Sequence, residues 1–326
     1  MARSSALSCA VATVAAAAAA AGVWGTLVER RLYTLRRVSL AVLPANATPL
    51  TVLHLSDIHM APWQSGKQDW IRGLAELAPD LIVDTGDNLG HERGLEGIRR
   101  AFDPFAGIPG VFVHGSNDYW KPTPRNPLRY FSGPSTMKHT PQRIDTNQLT
   151  NYFADELGWI DLNNRAASLD IKGTRLELLG VNDPHRNYDK LDVLAGSIEA
   201  ERENSPFYDD DPWPRQESST SEAITVGVAH APYQRVLNSF VTHGARLMLA
   251  GHTHGGQVRV PGFGALVTNC DIPRSQARGV SVWTHAHRAA YLAVSAGLGT
   301  SIYAPVRFAC PPEATLLTLT ENGLIS

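Results

Sequence analysis

Gly251-His252-Thr253-His254-Gly255-Gly256-Gln257 follows a short apolar run, Arg246-Leu247-Met248-Leu249-Ala250. The run reads as a buried strand. A strand end therefore delivers two histidines two positions apart. In an extended backbone such residues project to the same side, so both imidazoles are expected to face one point beyond the sheet edge. Imidazole is the commonest protein metal ligand. Gly255 and Gly256 allow a sharp turn and are expected to leave room for a bound group. A His-x-His pair alone also fits a polar turn with two surface histidines. The reading depends on partners elsewhere in the chain.

Those partners come from other strand ends. Ile224 to Ala229 reads as a strand and ends in His230. Leu50 to Leu55 is a buried strand ending in Ser56-Asp57-Ile58-His59, Leu81 to Val83 ends in Asp84-Thr85-Gly86-Asp87, and Val111 to Val113 ends in His114-Gly115-Ser116-Asn117-Asp118. Helical spacing over 64–77 and 95–105 separates these strands, so parallel pairing in an α/β sheet is the default. The carboxyl ends of such strands are where open α/β sheets place ligands. Ala167 to Ile171 and Arg175 to Val181 read as a hairpin. Val258 to Val260, Ala265 to Thr268, Ala290 to Val294 and Ala314 to Leu319 complete a second set of strands. His54, inside its strand, reads as a core histidine with a hydrogen-bond partner.

The candidate ligands are Asp57, His59, Asp87, Asn117, His230, His252 and His254. Seven donors over-supply one ion but suit two that share a carboxylate. Two cations about 3.5–4 Å apart clamp a phosphoryl group and activate a water. Mixed nitrogen and oxygen donors suit manganese, iron, zinc or magnesium without choosing among them.

Asp57-x-His59, Gly86-Asp87, Gly115-Ser116-Asn117-Asp118, His230 and Gly251-His252-Thr253-His254, in that order, resemble the calcineurin-like metallophosphoesterase superfamily. The resemblance covers about residues 50 to 320. The longer form ending in Gln257 is similar to a bacterial membrane-associated or exported branch, whose relatives include UDP-diacylglucosamine pyrophosphohydrolases. The resemblance implies an α/β fold, a four-layer α/β/β/α sandwich of two mixed sheets. It implies hydrolysis of a phosphoester or pyrophosphate by a metal-activated water. It also places Asp57, His59 and His254 on one ion, Asn117, His230 and His252 on the other, and Asp87 between them, with His252 also among the catalytic residues. One block departs from the family's Gly-Asn-His-Asp or Gly-Asn-His-Glu. Depending on register, Ser116 or Asn117 takes the asparagine position; Asn117 is favoured, because a carbonyl oxygen is a better donor to a dication than a serine hydroxyl. The family's histidine is absent in either register. Asp118 is expected to be a substitute acid or a supporting group. His91 and His185 are further candidates, each reading more simply as a surface or structural residue. Neither a Gly-x-Ser-x-Gly elbow nor a P-loop occurs.

The 326 residues are 43% hydrophobic and 18% charged, with a net charge of −2. No basic excess exists to neutralise a nucleic-acid backbone. Cys9, Cys270 and Cys310 form no Cys-x-x-Cys pair, so no zinc ribbon is indicated, although Cys270 and Cys310 could pair in an oxidising compartment. Leu7 to Val28 is uncharged and alanine-rich, long enough to cross a hydrocarbon core of about 30 Å. It reads as a membrane anchor, with a cleaved signal or a docked helix as alternatives. Arg30, Arg31, Arg36 and Arg37 follow it, which favours a cytoplasmic body under the positive-inside rule. Residues 1–49 are then anchor and linker, with an edge strand expected over Val38 to Leu43, and 50–326 the catalytic domain. Two excursions interrupt that domain: a proline-rich, basic, lid-like insertion over 119–150, and an acidic loop over 199–222. Lys121, Arg125 and Arg129 in the first are expected to reach substrate, a phosphorylated small molecule or lipid. A metal-retaining protein with weak or no turnover, acting as a binding, regulatory or scaffold protein, is the alternative.

Overall fold

The computed structural model describes residues 2–121, 142–204, 223–300 and 304–322. In chain order its strands are β1 (Thr34–Leu43), β2 (Leu50–Leu55), β3 (Leu81–Asp84), β4 (Gly110–Phe112), β5 (Ile160–Asp161), β6 (Arg165–Ile171) and β7 (Thr174–Gly180), then β8 (Ile224–Ala229), β9 (Leu247–Ala250), β10 (Arg259–Val260), β11 (Gly264–Ala265), β12 (Gly279–His285), β13 (Arg288–Val294) and β14 (Glu313–Glu321). Two six-stranded sheets result, ordered β1-β14-β2-β3-β4-β5 and β12-β13-β9-β8-β7-β6, with β10 and β11 apart as a two-stranded ribbon. Strands β2 to β5 are parallel, as are β7, β8, β9 and β13. The pairs β14–β2, β6–β7 and β12–β13 are antiparallel, so both sheets are mixed.

The period-two alternation of strand side chains explains the layering. Leu50 and Val52 of β2, Leu81 and Val83 of β3, Ile224, Val226 and Val228 of β8, and Leu247 and Leu249 of β9 share one apolar layer between the sheets. The alternate residues face outward. Leu53, Leu55, Ile82 and Phe112 pack under Ile71 of helix Ser65–Gly73 and Leu74 of the turn that follows it, and under Ile98 and Phe102 of helix Gly94–Phe102. Leu179 and Met248 pack under Leu194 and Ile198 of helix Leu191–Glu203 and under Val236 and Phe240 of helix Gln234–Thr242. Gly227 leaves room for the Phe240 ring, which a Cβ there would strike. Helix, sheet, sheet and helix form four layers, as the family resemblance implies.

Several boundaries differ from the sequence reading. The edge strand expected over Val38 to Leu43 is present as β1 but begins earlier, at Thr34, and is the parallel partner of β14. Ala314 to Leu319 joins the first sheet, not the second. Glu199 to Glu203 is not loop: it finishes helix Leu191–Glu203, whose Leu194 and Ile198 are buried. The rest of the acidic stretch, 205–222, lies outside the described residues. The insertion is narrower than 119–150, because Trp120 pairs with Arg143 at its base and helix Thr146–Asn151 buries Leu149. Strand β12 was not anticipated. It returns to β13 through Ala286-His287, both in the left-handed region at φ 47° and 62°. Turns of this hand favour Asn-Gly, so Ala-His gave no signal.

Candidate metal centre

Three of the five strands that carry candidate ligands, β2, β3 and β9, end in left-handed kinks. Asp57, His59, Asp87, His252 and His254 have φ of 48°, 44°, 57°, 66° and 49°. Left-handed backbone is uncommon away from glycine and clusters at functional sites. The histidines of 252–254 therefore do not share one side of an extended strand, as the i, i+2 argument supposed. His252 turns to His230, with Nδ1 3.3 Å from its Nε2. His254 turns to His59, with their Nε2 atoms 3.2 Å apart.

Two clusters form where the sheets' carboxyl ends meet. Asp57, His59 and His254 offer donor atoms within 4.8 Å of one another, and so do Asp57, Asp87 and His230. Asp87 Oδ2 lies between them, 3.7 Å from His59 Nε2 and 3.5 Å from His230 Nε2. Asp57 Oδ1 lies 3.6 Å from His254 Nε2. Its other oxygen accepts from the Ser56 hydroxyl at 2.7 Å and the His252 N–H at 2.9 Å, which ties β2 to β9. His230 Nδ1 faces the Thr85 carbonyl at 2.8 Å, leaving Nε2 for the cluster. A second hydrogen bond of this kind fixes which nitrogen a histidine offers a metal. The Asn117 amide lies 2.6 Å from Asp87 Oδ2, and its backbone N–H donates to Oδ1 at 2.8 Å. Within the altered block, Asn117 is thus the residue whose side chain reaches the cluster.

The donor set fits a divalent cation. All the carboxylates and imidazoles in it are buried, and Asp57 Oδ1 has no hydrogen-bond partner. An orphaned buried carboxylate oxygen facing imidazole nitrogens is costly unless a cation satisfies it. Burial pushes Asp57 up to about 6 and His59 down to about 4. Burial and the neighbouring histidines hold His252 and His254 well below the usual imidazole range, so both are neutral, as ligation requires. Burial also opposes ionisation of Asp87, but the charge and hydrogen bond of His230 outweigh it and hold that carboxyl well below its usual range. His230 is correspondingly raised.

Other expected site residues fall elsewhere. Asp118 is fully buried. Its Oδ1 accepts from the N–H groups of Asn88 at 2.8 Å and Leu89 at 3.2 Å, and its Oδ2 from those of Asp87 at 2.9 Å and Gly115 at 3.0 Å. A proton on either oxygen would displace one of these bonds, so the geometry is that of a backbone clamp, not an acid facing substrate. Gly255 and Gly256 face protein: a Cβ on Gly255 would lie 2.7 Å from Cys310 Sγ, and one on Gly256 would strike Ala265. Their small size serves packing here. Lys121 is paired with Glu92 at 2.6 Å. Arg125 and Arg129 lie outside the described residues. His54 is buried against Thr85 Oγ1 at 3.0 Å, as expected. His91 packs edge-on to Trp63. Cys270 and Cys310 are free thiols.

His185, which read as a surface or structural residue, is brought to the site. Its ring lies 4.3 Å from that of His252, and its Nδ1 faces the Tyr233 hydroxyl at 3.0 Å. Asp183 was missed. It is fully buried, pushed up to about 7 by burial, and its Oδ1 caps the turn by accepting from the His185 N–H. The one signal was the position of Asn182-Asp183-Pro184-His185 at a strand end, like every other ligand block.

The chain is similar to several known proteins. A Bacillus subtilis (strain 168) protein, YpbG, described as uncharacterized, is 26% identical over 314 residues, 95% of each chain. The Escherichia coli (strain K12) phosphodiesterase YaeI is 26% identical over 292 residues, 88% of each. Among solved structures, TT1561 of Thermus thermophilus aligns with 77% of this chain and 91% of its own at 14% identity and a TM-score of 0.39. The family described as calcineurin-like phosphoesterase matches residues 50–256, a span that holds all seven candidate ligands. Ligand blocks in family order, converging at one edge of a two-sheet sandwich, and a family match across most of that sandwich lead to one assignment: the chain belongs to the calcineurin-like phosphoesterases.

Proposed function

We propose that the protein hydrolyses a phosphoester or pyrophosphate using two divalent cations, and that it does so at a membrane. The observation that carries this reading is Asp87 Oδ2, one carboxylate oxygen set between His59 and His230 at 3.7 and 3.5 Å. Asp57, His59 and His254 would hold one cation, and Asn117, His230 and His252 the other, with Asp87 shared. Bound there, two cations supply an activated water and neutralise phosphoryl charge. The chain's own contribution is to aim the donors. Thr85 O orients His230, Asn269 lies 3.2 Å from His252 Nε2 and leaves Nδ1 for the site, and Asp118 holds the loop that carries Asp87. With Asp118 engaged by backbone, His185 is the nearer candidate to protonate a leaving group.

Metal analysis together with turnover of bis(4-nitrophenyl) phosphate tests the reading. Two cations per chain with turnover support it, and Asp87→Asn should lower both together. Two cations retained by that variant at normal turnover would remove Asp87 from the shared position. Metal without turnover in the native chain favours the second reading, a metal-holding binding protein, which the missing family histidine motivates. The membrane part rests on the N-terminal helix, in which Cys9–Arg31 is long and apolar enough to cross a bilayer. Protease added outside intact cells tests the expected cytoplasmic body, which should remain uncut.

A further inference from the structure

The N-terminal helix is apolar, yet the body does not cover it. Its most apolar window is only 6% buried, and Trp24, Leu27 and Val28 at its end are exposed. The helix is nevertheless fixed to the body. Gly25 is buried, its carbonyl accepts from the Arg307 N–H at 3.0 Å, and a Cβ on it would lie 2.9 Å from Val306 Cγ2. Glu29 closes the joint, accepting from Trp24 Nε1 and from the Cys310 N–H. One residue beyond Arg307, Phe308 pairs with the base of the β10–β11 ribbon, through Arg259 N–H to Phe308 O at 2.9 Å and Phe308 N–H to Gln257 O at 3.0 Å. The ribbon's tip is apolar and exposed: Val260 is 44% and Phe263 63% accessible, and the Arg274 guanidinium lies 5.2 Å over the Phe263 ring. Both ends of the ribbon segment touch the metal centre. Gln257 follows His254-Gly255-Gly256, and Asn269 contacts His252.

We infer that the Val260–Phe263 tip is a second membrane contact, which seats the mouth of the metal centre at the headgroup layer of the bilayer that holds the N-terminal helix. The occupant is a lipid surface, because the tip continues the uncovered apolar helix through two rigid backbone pairings. An exposed aromatic beside an arginine suits that interface, where an apolar ring meets water and phosphate. The substrates favoured by such seating are phosphoesters whose apolar part stays in the bilayer. This last step rests on the phosphoesterase reading, whereas the contact rests on its membrane part alone.

The test uses the full chain in vesicles of phosphatidylcholine and phosphatidylglycerol, with Cys9→Ser so that the buried Cys270 and Cys310 are the native thiols left. A nitrobenzoxadiazole probe is placed at Phe263→Cys, at Val260→Cys, and at Val193→Cys on the helix covering the far edge of the second sheet. At 260 and 263 the emission should shift to the blue and be quenched several-fold more strongly by bilayer nitroxide than by aqueous iodide, with the reverse at 193. Probes at 260 and 263 that are as open to iodide as the one at 193 overturn the inference, and either tip position decides if the other variant fails to fold. Turnover of bis(4-nitrophenyl) phosphate by the same samples reports the metal centre separately. Loss of turnover with the contact retained therefore counts against the phosphoesterase reading alone.

Discussion

Asp118→Asn removes one carboxylate oxygen from a cage of four backbone N–H donors, those of Asp87, Asn88, Leu89 and Gly115. The asparagine oxygen can keep two of them. The other two then face an amide NH2, which offers no acceptor. Each buried donor left unsatisfied costs about 1–3 kcal/mol, so the pair costs about 2–6 kcal/mol. A domain's whole stability is about 5–15 kcal/mol, and each kcal/mol lowers the melting temperature of a chain of this size by roughly 2–4 °C. A fall on the order of 10 °C is expected. Because the freed segment carries Asp87, divalent metal content and turnover of aryl and alkyl phosphoesters should fall together. Thermal unfolding followed by circular dichroism, with metal analysis on the same samples, measures this. A general acid behaves differently: its loss removes about 10²–10⁴-fold of rate, selectively for alkyl esters whose alkoxide needs a proton, and leaves fold and metal intact. An unchanged melting temperature with retained metal and an alkyl-selective loss would refute the clamp.

Three other outcomes follow from the same geometry. His230 is held well above the usual imidazole range because Asp87 and Asp57 outweigh its burial, so it is protonated in the metal-free protein at pH 7. A metal takes only neutral imidazole; loading should therefore release a proton, and affinity should rise with pH until the folded-state pKa is passed. Calorimetric titration in buffers of different ionisation enthalpy counts that proton. Gly251→Ala would drive a Cβ into Ser56 Oγ and to 2.5 Å from Asp57 Oδ2, and disturbing a ligand's support typically costs about 10–100-fold in metal affinity, measurable by competition with a chelating dye. His185→Phe keeps a ring against His252 but removes the nitrogen that faces Tyr233. If His185 protonates the leaving group, metal content should hold while alkyl-ester turnover drops by about 10²–10⁴-fold and aryl-ester turnover changes little.

The strands, their α/β alternation and the ligand blocks were legible because local pattern specifies them, whereas the four layers came from the family resemblance. Short apolar runs such as Leu247 to Ala250 are buried on both faces, and each ends in a polar block at the same sheet edge. What was not legible depends on contacts distant in sequence. Nothing near Asp118 tells that its carboxylate faces backbone N–H groups some 30 positions away. For His185 only the strand-end position of its block hints at the site, and nothing local tells that its ring lies beside His252. Glu313 reads as an ordinary strand residue, yet it pairs with both Arg36 and Arg278 and accepts from the Ala296 N–H. Glu199 to Glu203 looked like loop because acidic residues hide a helix whose apolar face is two residues wide, Leu194 and Ile198.

The reason the site needs so many buried polar supports lies in its backbone. Five ligand-bearing residues sit at positive φ, and a sparsely populated conformation costs on the order of 1–3 kcal/mol at each. Such a loop persists only where its surroundings over-determine it. Asp118 fixes 87–89 to 115. Lys67, buried and pushed down to about 7, donates to the Ile58 carbonyl at 2.6 Å beside His59. Arg307, fully buried, donates to the carbonyls of Ala296, Gly297, Gly299 and Cys310. That loop is the wall behind Asp57, since a Cβ on Gly297 would lie 2.5 Å from Asp57 Cβ. Hydrogen bonds to charged groups contribute about 1.5–3 kcal/mol each, the scale needed to offset the strain. These three side chains touch backbone, not the ligand atoms. Removing any of them should loosen the metal centre through its loops, whereas removing a ligand should empty it with the loops still in place.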